Sequence, residues 1–201
     1  MRFSLEWKIQ NPPHYLISID SNGRATYNSQ PTADADGGTA PDPYHAEWTA
    51  SEVTRSKVFD DLQKLNYLQG HYESKAKVAQ TGTKTLSYKD ASHDTSATYN
   101  YSENPLIRDL TQMFQSIATT AEMGRKLEHD ARFNKLGIDA DLKSLQDEQR
   151  EGNAIEFAAV QEILQKIADD PNMMRMSQQR AKAILRAAGL SPPPAATSAE
   201  K

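Results

Sequence analysis

The chain has 201 residues, 23 Lys plus Arg against 27 Asp plus Glu, and a formal charge of -4, enough for one ordinary domain or two small packed ones. Hydrophobic residues at 37% and charged residues at 25% specify a folded body rather than a disordered polyelectrolyte, and no apolar run approaches the roughly 18 residues of a membrane helix. The mild acidity offers no general field for nucleic acid or anionic lipid, and the absence of cysteine excludes disulfide scaffolds, cysteine-ligated metals and thiol catalysis while leaving the compartment open.

The first hundred residues read with period two. Phe3, Leu5, Trp7 and Ile9 alternate with Ser4, Glu6 and Lys8, and Tyr15, Ile17 and Ile19 with Ser18 and Asp20, so each segment predicts a strand with one apolar face. Ser21-Asn22-Gly23 predicts a tight turn, because Asn and Gly tolerate positive φ, and the return strand is Arg24 to Asn28. Gln30 to Pro43 is nearly devoid of apolar residues and predicts a long exposed loop. Tyr44, Ala46 and Trp48 restore the alternation.

Thr49 and Glu52 have capping-box spacing and predict a helix over about 50–68 with Val53, Val58, Phe59, Leu62 and Leu65 on its inner face. The helix ends near Gln69-Gly70. Two more strands are predicted, Thr83 to Lys89 and Thr95 to Tyr101. The second face of every strand is mainly polar, as in antiparallel sheets that bury one side only.

The second half is helical. Asn104-Pro105 specifies a helix start, followed by a stripe of Leu106, Ile107, Leu110, Met113, Phe114 and Ile117 that thins to Ala121, Leu127, Ala131 and Phe133. A continuous helix over that span is about 43 Å long, so its distal half must leave the sheet or the helix must break. Leu136-Gly137-Ile138 reads as a glycine stop, Asp139 or Asp141 as the next cap, and Gly152-Asn153 as an interruption. Phe157, Val160, Ile163, Leu164 and Ile167 form a further stripe ended by Asp169-Asp170-Pro171. Ser177 is the expected cap of a last helix bearing Ala181, Ile184, Leu185 and Ala188, stopped at Gly189 and Pro192-Pro193-Pro194.

The predicted class is therefore α+β: a single-layer, mostly antiparallel sheet covered by helices and followed by a helical C-terminal extension. Residues 1–103 form the sheet region with one inserted helix, 104–190 the helical region whose first helix packs on the sheet, and 191–201 a disordered tail. A two-sheet sandwich is the alternative.

Ser4-Leu5-Glu6, Ile19-Asp20-Ser21-Asn22-Gly23, Thr81-Gly82-Thr83-Lys84-Thr85-Leu86 and Tyr99-Asn100-Tyr101-Ser102-Glu103-Asn104-Pro105, with Phe114-Gln115-Ser116-Ile117, Lys135-Leu136-Gly137, Ile167-Ala168-Asp169-Asp170-Pro171 and Gln179-Arg180-Ala181, together resemble a family of uncharacterised proteins from soil bacteria of the acidobacterial type. The first half alone is similar to a small domain of unknown function found in bacterial secreted proteins and lipoproteins. The resemblance implies a periplasmic or secreted location, although the chain opens directly on a candidate strand with no signal peptide. It implies no catalytic residues.

The five histidines, His14, His45, His71, His93 and His129, include no i,i+4 pair, HExxH or HxH, so neither a metal site nor a cofactor is expected. No P-loop, GxGxxG or GxSxG occurs. Glu6 and Glu47 share the predicted polar face and would make a glycosidase-like pair only if their strands were neighbours. Trp7, Tyr15, Tyr27, Trp48, Tyr88, Tyr99 and Tyr101 share a face with Ile17, Ile19, Ala25 and Ala97 and read as core. If the cover leaves an edge open, Trp7, Tyr99 and Tyr101 are the ligand-binding candidates. Arg175, Arg180, Lys182 and Arg186 form a basic patch suited to an acidic protein partner, with too little charge and no aromatics for nucleic acid. Met173, Met174 and Met176 are expected to fill an irregular helix joint.

The expected function is non-enzymatic: an interaction or scaffold protein with a protein partner or self-association through its helices. The alternatives are a small-ligand or glycan-binding envelope module and a metal-independent hydrolase.

Overall fold

The computed structural model describes residues 1–32 and 41–190; the central part of the predicted 30–43 loop and the predicted 191–201 tail lie outside them. Six strands, β1 (Arg2–Glu6), β2 (His14–Ile19), β3 (Arg24–Ser29), β4 (Tyr44–Thr49), β5 (Thr83–Lys89) and β6 (Asp94–Tyr99), form one sheet in the order β4-β3-β2-β1-β5-β6. Every neighbouring pair is antiparallel. Phe3, Leu5, Tyr15, Ile17, Ile19, Ala25, Tyr27, Trp48, Leu86 and Tyr99 are buried on one face. The opposite face carries Ser18 bonded to Thr26 (2.6 Å) and Thr85 bonded to Thr98 (3.1 Å), so the sheet is one layer with one covered side.

Two strands are shorter than their alternation predicts. Trp7 gives its amide to the Pro13 carbonyl (2.7 Å) and accepts from Gln10 (3.0 Å), which turns the chain after Glu6 and leaves Ile9 83% exposed. At β6, the amide of Asn100 goes to the Glu73 carboxylate (2.6 Å) and the Tyr101 carbonyl accepts from Ser74 (2.9 Å). A partner outside the ladder ends β6, whereas β1 gives way to the turn at residues 7–10.

The helices are α1 (Glu52–Lys64), α2 (Pro105–Phe133), α3 (Ile138–Glu151), α4 (Gln161–Asp169) and α5 (Arg175–Ala187). The capping box expected at Thr49 is not formed. Thr49 stays paired with Arg24 in β4, Ser51 caps α1 by accepting from the Thr54 amide (3.2 Å), and Glu52 turns to Arg55. Val53 lies outside the inner face, which Thr54, Val58, Leu62 and Leu65 supply. The helix also stops earlier than expected, in a turn whose residues Asn66, Tyr67 and Leu68 all have positive φ (47°, 54° and 62°).

At α2 the sequence and the structure agree: the Asn104 side chain accepts from the Leu106 and Ile107 amides, with Pro105 at the first helical position. The helix runs 29 residues unbroken. Ile107 through Ala121 cover the sheet, and Leu127 belongs to a second core built with Ile138, Leu142, Leu145, Val160, Leu164, Ile167, Ile184 and Leu185. Its distal half thus leaves the sheet and organises the helical extension.

Several smaller expectations fail in whole or in part. Gly137 is right-handed (φ -76°) and precedes α3 as its cap rather than stopping α2, and Asp139 and Asp141 lie inside the first turn. Ser177 is buried inside α5, which starts after Met174. Of the three methionines, Met173 enters the second core while Met174 and Met176 are exposed. Gly189 does end the last helix in the left-handed region (φ 70°), with the Leu190 amide returning to the Leu185 carbonyl (2.9 Å).

Candidate functional site

The strand order separates Glu6 from Glu47. Two strands lie between β1 and β4, a lateral distance of about 14 Å, and the register places Glu47 in the row of Thr26, Ser18 and Arg2 rather than in that of Glu6. Glu47 instead meets His45 (3.1 Å) and Arg24 (3.5 Å), whose contacts hold its carboxyl below the usual range. No hydrolytic carboxylate pair is assembled there.

The three aromatic ligand candidates occupy different environments. Tyr99 is buried and its hydroxyl bonds Thr111 Oγ1 (2.6 Å), and Thr111 donates in turn to the Ile107 carbonyl. Trp7 is half-buried against Gly82, where a Cβ would come within 2.7 Å of the Trp7 Cβ. Tyr101 is half-buried beyond the end of β6. In the basic patch, Arg180 pairs with Asp139 (3.2 Å) and donates to Gln146 (3.1 Å), tying α5 to α3. Arg175, Lys182 and Arg186 are exposed, and their 7- and 4-residue spacing sets them on one helix face.

His93 stacks on Tyr67 at 4.0 Å between ring centroids and bonds Asp90 (3.1 Å). The Tyr67 carbonyl also accepts from Thr95 (2.6 Å). Among the described residues no three His, Asp or Glu side chains converge as a metal site requires.

A groove of about 710 Å³ opens where the start of α1, the middle of α2, residues 152–158 and the end of α5 meet. Val53, Met113, Ile155, Phe157, Ala188 and Leu190 make it largely apolar, with Lys57 and Asp109 beside them. Val53 is 79% exposed at its mouth. One end is held by Glu156, whose carboxylate accepts from Trp48 Nε1 (3.1 Å), the Ser51 amide (3.0 Å) and the Ser51 hydroxyl (2.6 Å). Thr120 holds the same segment by donating to the Ile155 carbonyl (2.6 Å).

The groove contains no oriented nucleophile and base: its one serine–carboxylate contact, Ser51 with Glu156, is consumed in capping α1. An apolar trough with a few polar groups at its rim is suited to receiving an apolar ridge. The sequence hid this site because Val53 falls on the helical spacing of the core and the Glu156 contacts span the two halves of the chain. Comparison with protein-family models, curated proteins and solved structures returned no match.

Proposed function

We propose that the chain is a non-enzymatic interaction module and that the groove between α1, α2 and residues 152–158 receives a protein partner, either a second copy or another chain presenting an amphipathic helix. The observation that carries this reading is Val53, an aliphatic side chain left 79% exposed at the mouth of an apolar groove that four elements build. Exposed apolar surface of this kind, bordered by charged residues such as Lys57 and Asp109, characterises helix-binding grooves. The basic face of Arg175, Lys182 and Arg186 supplies a second, charge-based contact to an acidic partner. The sequence resemblance adds the proposal that the module works in the periplasm or outside the cell.

Sizing with light scattering reads self-association, and retention on the immobilised protein reads capture of another chain. Val53→Asp changes an exposed side chain outside both cores, so it abolishes whichever association occurs while leaving Tm unchanged. A protein that stays monomeric and retains nothing, or whose association survives Val53→Asp, refutes the reading.

A further inference from the structure

Four of the seven large apolar side chains that the described residues leave exposed lie at one end of the helical extension. Phe133, the last residue of α2, is 75% exposed and Leu136 in the following turn is 84% exposed, and Met174 and Met176 at the start of α5 are exposed as well. Lys135 pairs with Asp170 (3.5 Å) across the two turns, and Arg180 of α5 pairs with Asp139 of α3 (3.2 Å) just behind them. The end of α2, the start of α3, the end of α4 and the start of α5 therefore share one tip. Phe133 lies about 18 Å along α2 beyond Ala121, the last residue of that helix in the sheet core. Single exposed apolar residues need no explanation, but four at one tip mark a contact surface.

The form and charge of the tip identify what it meets. None of the four lines the groove described above; they project from turns, and projecting side chains suit a soft surface better than a ridge. Residues 131–137 and 171–177 hold Arg132, Lys135 and Arg175 and no Asp or Glu. Lys135 has its charge met by Asp170, while Arg132 and Arg175 are exposed and form no ion pair among the described residues. Behind them, Asp130 is engaged by His129 and Asp139 by Arg180, and Asp169 accepts from Gln165 (2.6 Å). The front of the tip is thus cationic although the chain as a whole carries -4. Arginines interleaved with Phe, Leu and Met match a phospholipid surface, where apolar ends pass below the headgroups and guanidinium groups stay at the phosphates. A protein partner would have to place a carboxylate at each arginine as the apolar centre closed around it; a headgroup layer offers phosphates everywhere.

We propose that this tip docks on an anionic phospholipid surface, with Phe133, Leu136, Met174 and Met176 entering the headgroup layer and Arg132 and Arg175 meeting lipid phosphates. The contact is peripheral, since no helix among the described residues is long and apolar enough to cross a membrane. The groove uses the far end of α5, about 20 Å away, so the proposal does not depend on the interaction reading.

The test is cosedimentation of the full chain with vesicles of phosphatidylglycerol and phosphatidylcholine, against vesicles of phosphatidylcholine alone. Binding is expected with the anionic vesicles only and weakens as salt is raised. Arg132→Gln and Arg175→Gln each lower the partition coefficient about 5-fold. Phe133→Ser combined with Leu136→Ser lowers it about 10-fold or more without changing Tm, because neither side chain belongs to a core. Val53→Asp, at the groove, binds vesicles as the wild type does. The proposal is overturned if the chain stays in the supernatant with anionic vesicles, if neutral vesicles bind it equally, or if the tip variants bind like the wild type. Loss of vesicle binding in Val53→Asp would overturn it by moving the contact to the groove. So would a double tip variant that keeps vesicle binding but loses self-association, which would make the tip a protein contact.

Discussion

Glu156 and Ser51 are in direct contact across 105 residues of chain, the Glu156 carboxylate accepting both the amide and the hydroxyl of Ser51. Glu156 does this from a left-handed backbone (φ 60°, ψ 49°), a conformation that costs a non-glycine residue about 1 kcal/mol or more. The contact satisfies an amide at the start of α1, and the same carboxylate also reaches Trp48 on β4, so one strained residue locks the helical extension to the sheet.

Glu156→Ala removes these acceptors and keeps the strain. The expected loss is about 2 kcal/mol, from unsatisfied donors at Ser51 and Trp48. Glu156→Gly loses the same hydrogen bonds but relieves the backbone, and should be the less damaged of the two by up to about 1 kcal/mol. Glu156→Gln keeps an acceptor and should lie nearest the wild type. Urea unfolding followed by tryptophan fluorescence measures all three. Equal stability of the Ala and Gly variants would refute the strain, and an undamaged Ala variant would refute the lock.

Gly124 is the point at which α2 passes from one core to the other. A Cβ there would come within 2.3 Å of Val160 Cγ1, and Val160 is itself buried. Gly124→Ala raises helix propensity by about 1 kcal/mol, yet overpacking of this kind costs about 1 to 3 kcal/mol, so a net loss of stability is expected. Val160→Ala makes room for the added methyl. The double variant should be more stable than the sum of the single changes allows, and a double-mutant cycle by denaturant unfolding reads that coupling.

The features legible in the sequence are those with local causes. Asn104-Pro105 announces α2 because a cap and a proline act on adjacent amides, and Tyr27 and Trp48 read as core because alternation within a strand assigns faces. The errors arise where a distant group takes over a local one. Thr49 looks like a cap until pairing with Arg24 holds it in β4. Ser177 looks like one until α5 begins upstream and buries it. Gly137 looks like a stop until close packing claims it, a Cβ there meeting Asn134 Nδ2 at 2.5 Å and Asp130 Oδ2 at 3.2 Å. The groove is illegible in the sequence for the same reason, since it is assembled from elements of the two halves of the chain and leaves no spacing signal.

Lys84 illustrates the limit from inside the core. It sits on the buried face of β5, where alternation predicts an apolar residue, and its ammonium lies 3.2 Å from the carbonyls of Thr81 and Gly82 and 2.9 Å from that of Asn100. Burial lowers its pKa from the usual lysine value. Lys84→Met fits the face but strips those carbonyls of their donor, so a loss of about 1 to 3 kcal/mol is expected. The 71–82 segment should also become more open to limited proteolysis. A variant as stable as the wild type would show that the ammonium contributes nothing to holding this loop.

Asp130 and Asp141 are both buried where α2 meets α3, and they cannot both ionise cheaply. Burial and the neighbouring Asp130 raise the pKa of Asp141 above 3.8, against the pull of Lys126, and Asp141 Oδ2 meets no donor. Burial presses on Asp130 as well, but hydrogen bonds from His129 and Asp141 outweigh it and hold Asp130 below its usual value. Of the two, Asp141 therefore takes up a proton first as the pH falls, and once protonated it can donate to an ionised Asp130. A raised carboxyl pKa favours folding fully below the unfolded value of 3.8 and loses that contribution as pH rises through the folded value. Asp130 acts in the opposite sense, its contribution disappearing as pH falls through its depressed value. Asp141→Asn supplies a permanent donor to Asp130 and keeps an oxygen for Lys126. Its Tm at neutral pH should exceed that of the wild type by a few degrees, about 1 kcal/mol in a chain of this size, and the advantage should shrink as the pH is lowered toward 4. Thermal unfolding across that range decides the matter: a constant difference, or a destabilised Asn variant at neutral pH, is incompatible with a shared proton.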